Sequence, residues 1–473
     1  MDSSYFDSDS MGWLCDDTHS ARQKPPTWNV QPRIAYIDCP SLNSVSVMQI
    51  FQNASWFAVG FLVAAVGLIV ALNFVSGEKE LGRRVERLYS LEDPQFAREL
   101  GALLGPPFVA GNAVTVLLNG VEIFPAMLKA IRSAKVSITF ETYIYWSGDI
   151  GDEFAAALAE AARRGVKCHV LLDWAGSAKM DAGLLEQLTA AGVQVRRFHP
   201  PHWSHLARLN NRTHRKLLIA DGLVGFTGGV GIATQWVGQA QDPAHWRDTH
   251  FQINGPAVAQ MQAVFLDNWI KVTGETLHGP DYFPPLTEQG EKVAQMFSSS
   301  PAGGSESMQL MYLLSITAAA KSIDLSAAYF VPDTMTLEAL VQALKRGVKL
   351  RIIVPGEHID SDAVRSASRA TWGPLLSAGA TIAEYGPTMY HCKVMIVDGL
   401  LTSVGSTNFD NRSFRLNDEA TLNVLDAEFA NQQTAVFEAD LAKSKVVSLG
   451  AWANRPWTEK LSERWSSLFA SQL

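Results

Sequence analysis

The stretch MYHCKVMIVDGLLTSVGSTNFDNRSF (Met389–Phe414) opens on a histidine and a lysine two residues apart. It runs through a short apolar segment and then reads Asp-Gly, followed by Gly-Ser-x-Asn. Side chains alternate along a strand, so His391 and Lys393 share one face at its head while Val394 and Ile396 point the other way into a core. Two ionisable groups at the head of an apolar strand fit a rigid mount that presents them at a cleft. The stretch THRKLLIADGLVGFTGGVGI (Thr213–Ile232) repeats the pattern 177 positions earlier, with His214, Lys216 and then Asp221 where the later copy has Asp398. In both copies the acid precedes a glycine at the turn that ends the strand. Repetition of three residue types at fixed spacing, HxK(x)4D, is a specific signal.

Working outward, the rest of the chain repeats as well. Ala134-Lys135 matches Ala320-Lys321, Arg164-Gly165-Val166-Lys167 matches Arg346-Gly347-Val348-Lys349, and Ala191-Gly192 matches Ala378-Gly379. The offset drifts but keeps its order, as a duplicated domain with altered loops gives, and the period is far too long for a solenoid. Within a copy, strand and helix alternate. AVTVLLNG reads as a strand, VEIFPAMLKAIRSA as a helix and KVSITFETYIYW as a strand. GDEFAAALAEAARRG then reads as a helix closed by Gly165, and VKCHVLLDW as a strand. This predicts an α/β fold of two tandem repeats, at 112–275 and 307–445. Residues 276–306, rich in Pro, Gly and Ser, are expected to be the linker. Residues 446–473 are expected to form a C-terminal helix, with Trp457, Leu461, Trp465, Leu468 and Phe469 on one stripe, read as packing on the body in preference to docking on a membrane.

The beginning differs. Residues 1–55, Asp- and Ser-rich at the start, read as a disordered arm without the basic region of a secretory signal. Trp56–Val75 carries no charge and is long enough for a bilayer core, so 56–75 is expected to be a single transmembrane helix. Lys79, Arg83, Arg84 and Arg87 follow it, while residues 36–55 hold no Lys or Arg. The positive-inside rule then places the C-terminal bulk on the cytoplasmic side of the cell's inner membrane. Residues 76–111 are a juxtamembrane helical segment, in which LEDPQFARELGALLG predicts a helix with Asp93 as its cap and Pro94 first. The chain has 473 residues, 47% hydrophobic and 18% charged, with a net charge of -8. That balance and the span argue against a nucleic-acid partner. Cys15, Cys39, Cys168 and Cys392 form no disulfide or zinc framework.

The doubled HxK(x)4D(x)6G-G/S pattern resembles the phospholipase D superfamily over about residues 112–445. NNRTHRKLLIADG, HWRDTHFQINGPAV, RIIVPGEHIDS and YHCKVMIVDGLLTSVGSTNFDNRSFRLNDEA are similar to its bacterial cardiolipin synthase branch. The resemblance implies two α/β sandwich repeats about a pseudo-twofold axis, sharing one active site. It implies phosphatidyl transfer between two phosphatidylglycerol molecules through a phosphohistidine, with a membrane phospholipid as substrate and no cofactor or metal. The residues suit that chemistry. Two ammoniums neutralise the phosphoryl oxygens, one imidazole attacks phosphorus, and a protonated one donates to the leaving alkoxide. The residues alone do not rank the two histidines, and the resemblance implies His214 as nucleophile and His391 as first general acid. It also implies an orienting carboxylate further along each copy, Asp248 for His214 and Glu419 for His391. Asp221 and Asp398 complete the motif and count with the two histidines and two lysines as catalytic candidates, the alternative being a mainly structural part at the strand ends.

Gly229, Ser406 and Asn408 are the phosphate-binding candidates, and Gly231 stands where the family usually has Asn, so the two halves are expected to grip unequally. His199, His202 and His205 read as a loop at the cleft mouth rather than a metal site. Glu141 reads as a structural acid or a cleft contact, and Arg412 and Arg415 as headgroup contacts or partners of local acids. The rival functions are hydrolysis by water in the same superfamily and a non-catalytic lipid-binding scaffold. Neither the oligomeric state nor the acceptor is legible.

Overall fold

The computed structural model describes residues 44–74, 84–201, 210–301 and 308–467. Most of the N-terminal arm, together with Lys79, Arg83, His202, His205, Leu468 and Phe469, lies outside the described residues.

Helix α1 (Ser44–Phe74) begins earlier than the expected span and contains it almost whole. Its window Phe51–Leu68 is long and apolar enough to cross a membrane, and none of that window is buried in the fold. Helix α2 (Pro94–Leu104) starts as its sequence predicts, with Asp93 Oδ1 accepting from Gln95 N at 2.9 Å.

The first repeat supplies β1 (Val109–Leu118), α3 (Asn119–Ser133), β2 (Ser137–Thr142), α4 (Asp149–Arg163), β3 (Lys167–Asp173), α5 (Ala182–Ala190) and β4 (Gln194–Phe198). It continues through β5 (Arg212–Thr213), β6 (Leu217–Ala220), β7 (Val224–Gly228), β8 (Thr249–Asn254) and α6 (Ala257–Thr273). The second supplies β9 (Lys292–Ser299), α7 (Met308–Ala318), β10 (Ser322–Ala327), β11 (Phe330–Val331), α8 (Thr334–Lys345), β12 (Lys349–Pro355), α9 (Asp362–Ser377) and β13 (Thr381–Tyr385). Then come β14 (Lys393–Val397), β15 (Leu401–Gly405), β16 (Phe409–Asp410), α10 (Asn411–Arg415), β17 (Asn417–Leu425) and α11 (Ala427–Leu441). The chain closes with β18 (Ser444–Val447), α12 (Leu449–Ala453) and α13 (Trp457–Ser467).

One large sheet carries both repeats in the order β18-β13-β12-β10-β14-β15-β17-β9-β1-β8-β7-β6-β2-β3-β4. Read outward from the β9–β1 pair, the two arms are equivalent strand by strand except for the added edge strand β18, and β1 and β9 are antiparallel, as a pseudo-twofold axis between them requires. In each arm the outer strands are parallel, β2-β3-β4 and β10-β12-β13, and are joined by helical crossovers. Such strands are covered on both faces. Helices α3, α4 and α5 cover one face of the first arm, and α7, α8 and α9 that of the second. On the other face α6 and α11 pack with strands of both arms into one shared core that includes Met261, Phe265, Trp269, Phe429 and Phe437.

Three boundaries need correction. The expected linker 276–306 contains β9, the counterpart of β1, so the second repeat begins at Lys292 and not at 307. Its Ala294, Gln295, Met296 and Phe297 are fully buried, because β17 and β1 flank β9 in the sheet and its two faces pack into two cores, Ala294 and Met296 into one and Phe297 into the other. The first repeat begins at Val109, before 112. The expected C-terminal helix is a strand and two helices, β18, α12 and α13.

Candidate active site

His214 and Lys216 lie in the extended segment that leads into β6. His391 precedes β14, whose first residue is Lys393. Strand alternation puts each pair on one side, and each lysine is tied back beside its own histidine. Lys216 Nζ donates to His214 O at 2.7 Å, and Lys393 Nζ to His391 O at 2.8 Å. His214, Lys216 and His391 line one cavity of about 290 Å³.

The carboxylates are exchanged relative to the sequence expectation. His214 Nδ1 meets Glu419 Oε1 at 2.9 Å, and His391 Nδ1 meets Asp248 Oδ2 at 2.7 Å. The cause lies in the seam. Strands β8 and β17 are the inner strands of their arms, next to β1 and β9, so the residues that open them face the other repeat. Short segments then pair across the repeats. Arg212 and Thr213 run parallel to Asn417 and Asp418, with His214 N donating to Asp418 O. Arg247 bridges Tyr390, with His391 N donating to Arg247 O. Each half therefore supplies the carboxylate at the other half's histidine, with Nε2 the ring nitrogen away from that contact; at His391 it lies 3.2 Å from Lys393 Nζ.

The two carboxylates are held differently. Glu419 accepts from Ser406 Oγ (2.5 Å), Ser413 Oγ (2.7 Å) and Asn417 Nδ2 (3.3 Å). Asp248 accepts from Trp236 Nε1 (2.9 Å) and Thr249 N (2.8 Å). Ser406, expected on the phosphate, thus serves Glu419. Gly229, its counterpart, is also not a phosphate ligand. Its N–H donates to Thr249 O at 3.3 Å, and a Cβ there would come within 2.3 Å of Asp248 Oδ1. At Gly231 a Cβ would sit 2.8 Å from Ile144 Cβ and 3.2 Å from Trp236 Cζ3, so the indole and Ile144 occupy the space a side chain would need. Asn408 does line the cavity, and its Oδ1 is buried without a hydrogen-bond partner among the described residues.

Burial and charge tune the titratable groups. Burial and the cations Lys216, Lys393 and Arg412 hold His214 well below the ordinary imidazole value. Burial and then Lys393 push His391 down to about 4, against the attraction of Asp248. Burial alone would raise Asp248, but His391 and Lys393 outweigh it and keep its carboxyl below the usual range. Glu419 is the reverse: burial raises it, and Lys216 and its hydroxyl partners only partly offset that. Burial lowers both Lys216 and Lys393. These surroundings favour the neutral form of both imidazoles, and an anion beside them would favour the charged forms of the groups around it.

Asp221 and Asp398 stand at the far end of β6 and β14, away from the histidines. Asp221 accepts from Lys135, Val136 and Ser137 N, and Asp398 from Ala320, Lys321 and Ser322 N. They are turn anchors with φ of 55° and 53°, a conformation that a short polar side chain tolerates. Glu141 is fully buried behind the site against Thr213 and Asn268, and burial raises it to about 7. Arg412 lines the cavity and bonds Asn210, while Arg415 pairs with Asp333 at 3.5 Å. His199 lies on a different cavity and stacks on Phe198.

The sequence reasoning missed the aromatic walls. Tyr143 meets His214 edge-on at 5.3 Å, and Trp236 and Trp246 flank His391 at 5.3 and 5.2 Å. Tyr329, also in the cavity, lies 186 positions after Tyr143, the offset already set by Ala134 and Ala320, so the repeat could have found that pair. Ser413 and Asn417 carried no such signal.

The family model described as the PLD-like domain of cardiolipin synthase matches residues 127–269 and 312–441. The cardiolipin synthase of Geobacillus kaustophilus is 35% identical over 370 residues, covering 78% of this chain and 74% of that protein. Cardiolipin synthase A of Pseudomonas syringae is 36% identical over 355 residues, covering 74% and 73%. Among solved structures, phosphatidylserine synthase of Haemophilus influenzae matches with a TM-score of 0.62 at 14% identity, over 80% of this chain and 100% of that one, a likeness of fold. Both repeats are matched and the relatives cover most of the chain, so this chain belongs to the PLD-like cardiolipin synthase family.

Proposed function

We propose that the protein is a membrane-anchored phosphatidyltransferase that makes cardiolipin from two molecules of phosphatidylglycerol and releases glycerol. The observation that carries this is the pair of crossed histidine–carboxylate contacts at one cavity, with Lys216 on its wall and Lys393 buried beside His391. His214 Nε2 attacks phosphorus, and His391, protonated, gives its proton to the departing glycerol oxygen. A glycerol hydroxyl of the second phosphatidylglycerol then loses its proton to His391 and attacks the phosphohistidine, restoring His214. The tuning supports this division of roles. Asp248 stays ionised and favours an imidazolium at His391, whereas burial and the cations Lys216 and Lys393 keep His214 neutral, and donation of its Nδ1–H to Glu419 leaves the Nε2 lone pair free to attack. Lys216, Lys393 and Asn408 hold the phosphoryl oxygens as charge develops.

Helix α1 would cross the cytoplasmic membrane once, with Arg84 and Arg87 on the cytoplasmic side beside the catalytic part, raising the effective concentration of lipid. The curated relatives named cardiolipin synthase support the choice of product. Full-length enzyme in vesicles of headgroup-labelled phosphatidylglycerol should release glycerol and form cardiolipin in equal amounts. Phosphatidic acid as the sole lipid product would show that water, not a second lipid, is the acceptor. Protease added outside intact cells should spare the catalytic part if the orientation is right.

A further inference from the structure

Helix α13 sits on α9 by its charged side. Glu463 is buried and accepts from Arg455 Nε at 2.7 Å, with Arg369 at 3.7 Å. Glu459 accepts from Arg369 at 3.2 Å, and Ser462 Oγ meets Ser366 Oγ at 3.2 Å. The apolar stripe faces away from the body: Trp457 is 73% exposed, Leu461 49% and Trp465 62%. These three are spaced i, i+4, i+8 and form one line on the helix. Lys460 and Arg464, each one position before Leu461 and Trp465, are exposed along the edge of that stripe, with Lys460 Nζ also donating to Ala453 O at 2.8 Å. The packing expected from the sequence is thus inverted. A helix on a soluble surface buries its apolar stripe and wets its charges; α13 turns its acids toward arginines of the body, with Glu463 buried and Glu459 half-exposed, and wets two indoles and a leucine, edged by cations.

We propose that α13 docks on an anionic lipid bilayer, with Trp457, Leu461 and Trp465 entering the interfacial layer and Lys460 and Arg464 meeting lipid phosphates. Indole rings are enriched at headgroup depth, where one edge is apolar and the other wet. A helix that lies in the interface carries Lys and Arg beside a Trp/Leu face. Charge favours this occupant over a second copy of the chain. A face-to-face pair of α13 helices would bring Lys460 and Arg464 of both copies together, because the helix's acids are engaged on the opposite side. Docking of α13 is independent of which acceptor receives the phosphatidyl group.

The test uses the full chain in vesicles of phosphatidylcholine with and without phosphatidylglycerol. A nitroxide is placed at Leu461→Cys in a Cys15→Ser, Cys39→Ser background, since Cys168 and Cys392 are buried. With phosphatidylglycerol present, the label should become accessible to oxygen and shielded from a water-soluble nickel chelate. Arg464→Glu should shift it back toward water without lowering the thermal midpoint, because the acids that hold α13 to the body and the contact of Lys460 with Ala453 O are untouched. A label open to the chelate in both vesicles would overturn the proposal. So would a label shielded from both quenchers, which would mean that protein covers the stripe.

Discussion

His391 stands 2.7 Å from an ionised carboxylate, yet burial and Lys393 keep it neutral at rest. Folding lowers its value from 6.5 to about 4, so between those limits the unfolded chain binds more protons than the folded one. This group's contribution to stability is therefore full above pH 6.5 and declines as pH falls toward 4. Thermal midpoints measured down that range should fall more steeply in the wild type than in His391→Gln; equal slopes would mean that the imidazole is not depressed. Ser406 makes a second prediction. If it serves Glu419, Ser406→Ala should lower kcat about 10-fold, the worth of roughly 1.4 kcal/mol for one hydrogen bond to a buried carboxylate, with little change in KM. A raised KM with kcat unchanged would return Ser406 to the phosphate. At this scale the two histidines, two lysines and both carboxylates were legible, because a fixed spacing repeated twice is a one-dimensional signal. What Ser406 and Gly229 touch was not, because both answers lie on strands β8 and β17, which only the fold brings alongside.

Strand β9 shows where element-level reading failed. Its eight residues sit between Pro- and Gly-rich flanks on one side and Ser-Pro-Ala-Gly on the other, and composition averaged over the segment reads as linker. The strand itself is short and buried on both faces, so it lacks the alternation that marks a half-exposed strand. The repeated strand–helix units were read correctly because each has its own periodicity and its own Gly stop, as at Gly165 and Gly347. If β9 is the central seam and not a tether, Phe297→Ala should cost about 3–5 kcal/mol, as other fully buried Phe truncations do. Chemical denaturation of the purified protein would measure this. A loss below roughly 1 kcal/mol, the level of a surface change, would make the segment a linker after all. The α13 stripe failed for the opposite reason: its periodicity was read correctly, but periodicity does not say which side of a helix meets the body, and the pairs Arg369–Glu459 and Arg455–Glu463 decided it.

At the scale of the whole molecule, the pseudo-twofold arrangement makes each half incomplete. The first repeat holds His214 but not the carboxylate that orients it, and the second holds His391 on the same terms. Sequence order suggested pairing within a repeat, since Asp248 follows His214 and Glu419 follows His391. Only the exchange of segments 212–214 and 417–418, and of 247 and 390–391, across the β1–β9 seam reverses it. A double-mutant cycle on unfolding free energy separates the two pairings. Removing Asp248 and His391 together should cost less than the sum of the single losses, and the same should hold for Glu419 with His214. Groups in direct contact couple by about 0.5–3 kcal/mol, while separated ones add to within about 0.5 kcal/mol. The same-half combinations, Asp248 with His214 and Glu419 with His391, should therefore sit closer to additivity. Larger coupling within halves than between them would place each histidine with its own repeat's acid. Crossed coupling also predicts that neither repeat, expressed without the other, can set the tautomer of its histidine, so phosphohistidine formation requires both halves folded together.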